Sequence, residues 1–235
     1  RDRYCTDPAY MTVNPSDFLT RESLAERAKK INMKRALPWP QDPWQGDTIW
    51  MGCIDSEGRT ASFIQSVFWE FGSGVVCPST GVMWQNRGIS FSLKEDALHR
   101  LEPGRKPFHT LNPAMARFKD GRSMVYGTMG GEGQPQTQAA VFSRYALFNQ
   151  PLQTAVTAPR WLLGRTWGEQ STTLKLESRF EQELVQQLRD AGHVLEVLPE
   201  AFSDTMGHAG AVVRHPNGMM EGAADPRSDG AVACV

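Results

Sequence analysis

Cysteine is scarce in this sequence. Only Cys5, Cys53, Cys77 and Cys234 occur, widely spaced and with no Cys-x-x-Cys pair. That leaves no metal-ligand spacing and favours reduced thiols over a disulfide framework. The compartment so predicted is cytoplasmic, or periplasmic where a leader precedes. Long apolar runs are missing too: none approaches the roughly 20 residues of a membrane span. The opening "RDRYCTDPAY" is polar, so no signal-peptide core is visible, and it lacks an initiator Met, so upstream sequence is expected. An excess of charge of either sign is absent, with 25 Lys and Arg against 26 Asp and Glu. Nothing in that balance offers the electrostatic footprint that nucleic acid requires. What is present is an ordinary globular composition, 40% hydrophobic and 22% charged. The 235 residues suffice for one large domain or two small ones with a real core.

Periodicity and punctuation divide the chain into blocks. Residues 20–31 read as a helix, with Ser23 and Glu26 spaced as a capping box. Residues 36–47, "ALPWPQDPWQGD", read as an exposed loop rich in proline. A strand-like run then begins on Thr48, and "TIWMGCID" and "TASFIQSVF" form a hairpin pattern with Gly58 at the turn. Residues 94–107 read as a charged loop. Another hairpin turns at Asp120-Gly121 and ends in the glycine loop "GTMGGEG". Two helices are predicted next, over 136–149 and 178–192. The second has Ser178 and Glu181 as a capping box and Gly192 as the C′ glycine. "HVLEVL" reads as a strand, and a last hairpin turns at Asn217-Gly218. Strands and helices come in blocks, which predicts a layered α+β architecture rather than parallel βαβ repetition.

Thr48 poses the chemical question. Its ordinary role would be a β-branched residue opening a strand. A second role is that of an N-terminal nucleophile. A threonine hydroxyl needs a base beside it, and a free α-amino group on the same residue has a suitable pKa near 8. That amine exists only after cleavage between Asp47 and Thr48. The proline-rich loop before it suits such a cut, because both new ends could move apart.

The stretch "GDTIWMGCIDSEGRTASFIQSVFWEFGSGVV" resembles the start of the small subunit of γ-glutamyltranspeptidases, which are self-cleaving N-terminal nucleophile (Ntn) hydrolases. Thr48, Ile54-Asp55, Glu57-Gly58 and Phe71-Gly72-Ser73-Gly74 fall in register with the family pattern. "KPFHTLNPA", "GTMGGEG" and "GAADPRSDG" follow in family order. The resemblance implies a tail of the large subunit with its processing loop over 1–47 and a small catalytic subunit over 48–235. It implies a four-layer αββα sandwich with antiparallel sheets, incomplete in this chain, whose missing part is the remainder of the large subunit. It assigns Thr48 as nucleophile and Ser66 as the hydroxyl bonded to it. Gly130 and Gly131 would be oxyanion donors, contributing roughly 3 kcal/mol each. The Asp225-Pro226-Arg227 segment is expected to be structural. No metal or organic cofactor and no nucleic-acid or membrane partner is implied, and homo-oligomer formation is left open.

Departures from the family pattern bear on substrate. The position of a family Asn that binds the substrate's α-ammonium holds Phe68, and the position of its acidic partner holds Ser90. Arg87 stands nearby, and the paired serines are replaced by His109-Thr110. Losing a carboxylate and gaining a guanidinium turns the local preference from ammonium to carboxylate. Phe68 makes the pocket smaller and more apolar. These departures resemble the oxamate amidohydrolase branch, so a small carboxylate-amide such as oxamate is expected, hydrolysed to oxalate and ammonia through an acyl-enzyme. Ordinary alternatives stand beside each role: Ser66 a strand serine, Arg87 a surface arginine, His109 a loop histidine, Gly130-Gly131 a plain turn. The functional alternatives are a γ-glutamyl hydrolase or transferase with an altered pocket, an acylase for a bulkier amide, and a non-catalytic homologue.

Overall fold

The computed structural model describes residues 4, 6–35, 47–69, 71–166 and 171–234. The loop predicted before the cut lies, but for Asp47, outside the described residues. The central layer is a four-stranded antiparallel sheet in the order β3-β4-β8-β9. Its strands are β3 (Ala114–Arg117), β4 (Ser123–Thr128), β8 (Ala209–Arg214) and β9 (Met220–Ala224). Alternation along β4 and β8 gives this sheet two different faces.

One face carries Met124, Ala209, Ala211 and Val213, all buried under α2 (Gln134–Ala146) and α3 (Leu152–Thr157). Val141 and Tyr145 of α2 and Leu152, Ala155 and Val156 of α3 complete this core. The other face receives the hairpin of β1 (Asp47–Ile54) and β2 (Thr60–Phe68). Gly127 and Gly210 lie opposite each other on β4 and β8. A Cβ on Gly127 would come 2.1 Å from the Trp50 indole, and one on Gly210 would come 2.5 Å from it. The two glycines therefore make the slot that seats Trp50, whose Nε1 donates to Ser62 Oγ at 2.9 Å. Helices, sheet and hairpin give three stacked layers among the described residues.

A second sheet joins β5 (Trp161–Leu163), β6 (Leu174–Glu177) and β7 (Leu195–Leu198). The other strand pairs are antiparallel, as expected; this sheet adds one parallel pair, β6 with β7. The predicted second helix, α4 (Gln182–Asp190), is their crossover. A parallel pair requires such a connection, so one βαβ unit sits inside an otherwise antiparallel architecture. The fold class is α+β.

Several element ends differ from expectation. Helix α1 (Arg21–Ala28) is capped by Thr20, whose side chain accepts from the Ser23 N–H, so Ser23 is inside the helix. Helix α4 has Glu181 at its N-cap with no side-chain cap bond, so Ser178 lies too far upstream. Gly192, at φ +93°, does follow the α4 C-cap. Strand β1 begins at Asp47 rather than Thr48.

Candidate active site

The nucleophile candidate sits at a fault in the hairpin ladder. Asp47 pairs with Phe68 and Ile49 with Gln65, so β2 carries one extra residue opposite Thr48. Thr48 is buried, and its Oγ1 donates to Ser66 Oγ at 2.9 Å. The same Ser66 oxygen accepts the Phe68 N–H at 2.9 Å. One serine hydroxyl thus holds both the candidate nucleophile and the distorted end of β2. Phe68 has φ +81°, a backbone region costly for a bulky residue. It is buried nonetheless, and the Arg87 guanidinium lies 4.3 Å from its ring centroid.

Arg87 is itself 2% exposed and follows Asn86 in a short 3-10 turn (Arg87–Ser90). Its N–H donates to Gln85 Oε1, and its Nη1 donates to Thr110 Oγ1 at 3.3 Å. Its Nη2 is buried with no hydrogen-bond partner. Burial lowers the Arg87 pKa to about 10, which leaves it charged at neutral pH. A buried guanidinium with an unused donor is costly unless an acceptor reaches it. His109 is exposed. Partial desolvation and then the Arg87 charge hold it below the ordinary imidazole range.

The glycine loop connects β4 to α2. Gly130 has φ +122° and Gly131 φ +48°, conformations that side chains rarely take. Both are buried. Thr166 packs behind the turn: a Cβ on Gly130 would meet its methyl at 3.1 Å, and its hydroxyl donates to Thr205 O at 2.5 Å. Helix α2 starts at Gln134, with Pro135 in its first turn, two residues before the expected start.

Two cavities flank this region. The first, about 730 Å³, is lined by Phe68, Ser90, Thr110 and Gly131 from the predicted set. The second, about 640 Å³, is lined by Thr48 and Met129 together with the Asp225–Asp229 segment. The predicted residues are therefore split between two cavities. Thr48 faces one cavity, and Phe68, Ser90, Thr110 and Gly131 face the other. Arg87 stands behind Phe68 and Thr110 rather than on the cavity lining. Sequence reasoning missed Thr166, as well as Phe91, Leu98 and Phe108 of the first cavity wall. Phe108 fell inside the quoted KPFHTLNPA motif, but nothing in the pattern marked its direction.

The Asp225-Pro226-Arg227 segment is bonded throughout. Arg227 Nε and Nη2 donate to the two oxygens of Glu177, each at 2.6 Å, and its Nη1 donates to Asp225 Oδ1 at 3.0 Å. Asp225 Oδ2 accepts from Arg160 and from the Ala209 N–H at 2.6 Å. These charged side chains are all buried.

Comparison with known proteins assigns the family. The Gamma-glutamyltranspeptidase family model matches residues 1–235. The oxamate amidohydrolase proenzyme of Klebsiella pneumoniae is 57% identical over 233 residues, covering 99% of this chain and 44% of that protein. The glutathione hydrolase-like YwrD proenzyme of Bacillus subtilis is 42% identical over 235 residues, covering 100% of this chain and 44% of that protein. The crystal structure of cephalosporin acylase from Bacillus halodurans superposes with a TM-score of 0.83 at 34% identity. It covers 98% of this chain and 41% of that one. The chain thus spans less than half the length of these relatives. Their shared architecture is that of Ntn hydrolases, and this chain belongs to the gamma-glutamyltranspeptidase family.

Proposed function

We propose that this chain is the catalytic part of a self-processing Ntn amidohydrolase whose substrate is oxamate or a similarly small carboxylate-amide. In this reading residues 1–47 are the tail of the large subunit and 48–235 the small subunit. The remainder of the large subunit is the partner that completes the site. The observation that carries the reading is the Thr48–Ser66 hydrogen bond at the ladder fault beside Asp47. The similarity to a proenzyme named for oxamate supports it.

In processing, Thr48 Oγ attacks the Asp47 carbonyl carbon and the amide becomes an ester. Water then hydrolyses that ester, leaving a carboxylate on Asp47 and a free amine on Thr48. Ser66 accepts the Thr48 hydroxyl proton's hydrogen bond, which fixes the direction of attack. In turnover the freed amine takes the hydroxyl proton as Oγ attacks the substrate amide carbon. The Gly130 and Gly131 N–H groups serve the developing oxyanion, which requires the cut to open Thr48, now lining the second cavity, toward the first. The amine returns the proton to departing ammonia, and water releases oxalate from the acyl-enzyme. Arg87 supplies the charge that favours a substrate carboxylate, through its unused Nη2. Ser90, Thr110, His109 and Phe68 border that position. Reaching Arg87 requires Phe68 or Thr110 to shift, since the guanidinium lies behind them.

Turnover separates this reading from a γ-glutamyl enzyme. The full-length proenzyme is assayed for ammonia release from oxamate and for release of the chromophore from a γ-glutamyl anilide. Hydrolysis of oxamate with little on the anilide is expected. Clear anilide turnover with none on oxamate would overturn the substrate assignment.

A further inference from the structure

The first cavity has one wall with little regular structure of its own. It is the loop that contributes Lys94, Ala97, Leu98, His99 and Phe108. Its internal braces are the parallel bridge of Ser92 to Arg100, short turns at Lys94–Ala97, Ala97–Arg100 and Glu102–Arg105, and ion pairs of Glu102 with Arg100 and Arg105. A second set of anchors comes from the other side of the proposed cut. Asp7 is buried, and its two carboxylate oxygens do different work. Oδ1 accepts the Ala9 N–H at 3.1 Å and caps the turn Pro8–Tyr10. Oδ2 accepts the Lys106 N–H at 2.7 Å, across 99 positions of sequence. Thr6 Oγ1 donates to Leu98 O at 3.3 Å and accepts from Arg105 Nη2 at 3.1 Å. Arg105 Nη2 also donates to Leu98 O at 2.5 Å, and its guanidinium lies 4.2 Å from the Tyr10 ring centroid.

The Thr6–Tyr10 segment therefore grips the loop at Leu98 and again at Arg105-Lys106, the stretch between the cavity-lining Leu98 and Phe108. Backbone groups of a loop have no ladder to hold them, so such side-chain anchors decide its shape. Once the chain is cut after Asp47, these bonds join two separate polypeptides.

We infer that Thr6 and Asp7 form a strap that sets the outer wall of the substrate cleft, with Asp7 a positioning residue for the small acid-amide. The inference rests on the reading of the first cavity as the substrate cleft. The strap touches neither Thr48 nor the glycine turn, so it governs substrate fit rather than the cut or the chemical step.

The test uses the full-length proenzyme with Asp7→Ala and, separately, Thr6→Val, which removes the hydroxyl at nearly constant volume. Three quantities are read: cleavage by intact mass, KM and kcat on oxamate, and amide hydrogen exchange over 98–106. The expected result is normal cleavage, kcat within about threefold, KM raised about tenfold and faster exchange confined to 98–106. Unchanged KM and unchanged exchange in both variants, in an enzyme that hydrolyses oxamate, would overturn the strap. If the wild type does not hydrolyse oxamate, the substrate assignment fails. The exchange of residues 98–106 still decides whether the strap holds the loop.

Discussion

Thr48, Ser66 and Arg87 carry different duties. Ser66 Oγ serves two donors at once, the Thr48 hydroxyl and the Phe68 N–H. Ser66→Ala removes both bonds without adding bulk. Processing and turnover are each expected to slow about tenfold, measured by the rate of appearance of the cut chains and by kcat, since a buried hydrogen bond is worth about 1 kcal/mol or somewhat more. Arg87 carries the charge preference. Arg87→Met, which keeps much of the stem, is expected to raise KM for oxamate about 100-fold and leave cleavage intact, because bonds to charged groups are worth about 1.5–3 kcal/mol. The pH dependence follows from the direction of the Arg87 shift. Burial lowers its pKa to about 10, and the protonated form is the one that attracts a carboxylate. Substrate affinity is therefore full below that value and falls as pH rises through it. A KM that stays flat to well above pH 10 would remove Arg87 from substrate binding.

At the scale of elements, the hairpin and the central sheet meet through one side chain. Trp50 occupies the slot left by Gly127 and Gly210, where added Cβ atoms would stand 2.1 and 2.5 Å from the indole. Gly127→Ala is expected to destabilise by about 1–3 kcal/mol, seen as a fall of several degrees in Tm. Because β1 also carries Thr48, cleavage should slow in the same variant; unchanged Tm and cleavage would mean the hairpin is seated by other contacts. Much of this was legible in sequence. The two apolar, β-prone runs "TIWMGCID" and "TASFIQSVF", with Gly58 between, give the hairpin within a residue. Sequence could not show that Gly127 and Gly210 face each other, because their pairing joins strands 83 positions apart. Strand β6 was missed for a different reason. Leu174-Lys175-Leu176-Glu177 does alternate, but over only four residues, and Lys175 and Glu177 are buried where such a pattern would put them in solvent. Lys175 instead finds Glu196 Oε2 at 2.7 Å, and Glu177 finds Arg227. The cap of α1 eluded pattern reading because Thr20 is followed three residues on by Ser23, not by the acid a capping box needs.

At the scale of the whole molecule, a buried charge network ties the second sheet to the central one. Glu177 of β6 accepts from Arg227, Arg179 and the Arg160 and Ser203 N–H groups, and Arg227 also bonds Asp225, just past β9. Taking away one member strands the others in a low-dielectric interior. Glu177→Gln is expected to cost about 3–5 kcal/mol, measured by denaturant unfolding, and far more than an exposed pair such as Arg59–Asp55. The candidate site shows the same dependence on long-range assembly. Sequence pattern and family resemblance named Thr48, Ser66, Arg87 and Gly130-Gly131. They gave no sign that Thr48 would face one cavity and Phe68, Ser90, Thr110 and Gly131 the other. That division depends on the ladder fault at Thr48 and the left-handed turn of Phe68, and neither has a sequence signature.

The catalytic role of Thr48 requires that it become a chain terminus and that its own hydroxyl do the cutting. The direct measurement is the intact mass of the protein, expressed with the upstream sequence its relatives carry, beside Thr48→Ala. Two chains are expected in the wild type, one beginning at Thr48, and a single uncut chain in the mutant. A wild type that stays whole, or a mutant that is cut at the same bond, would contradict that role.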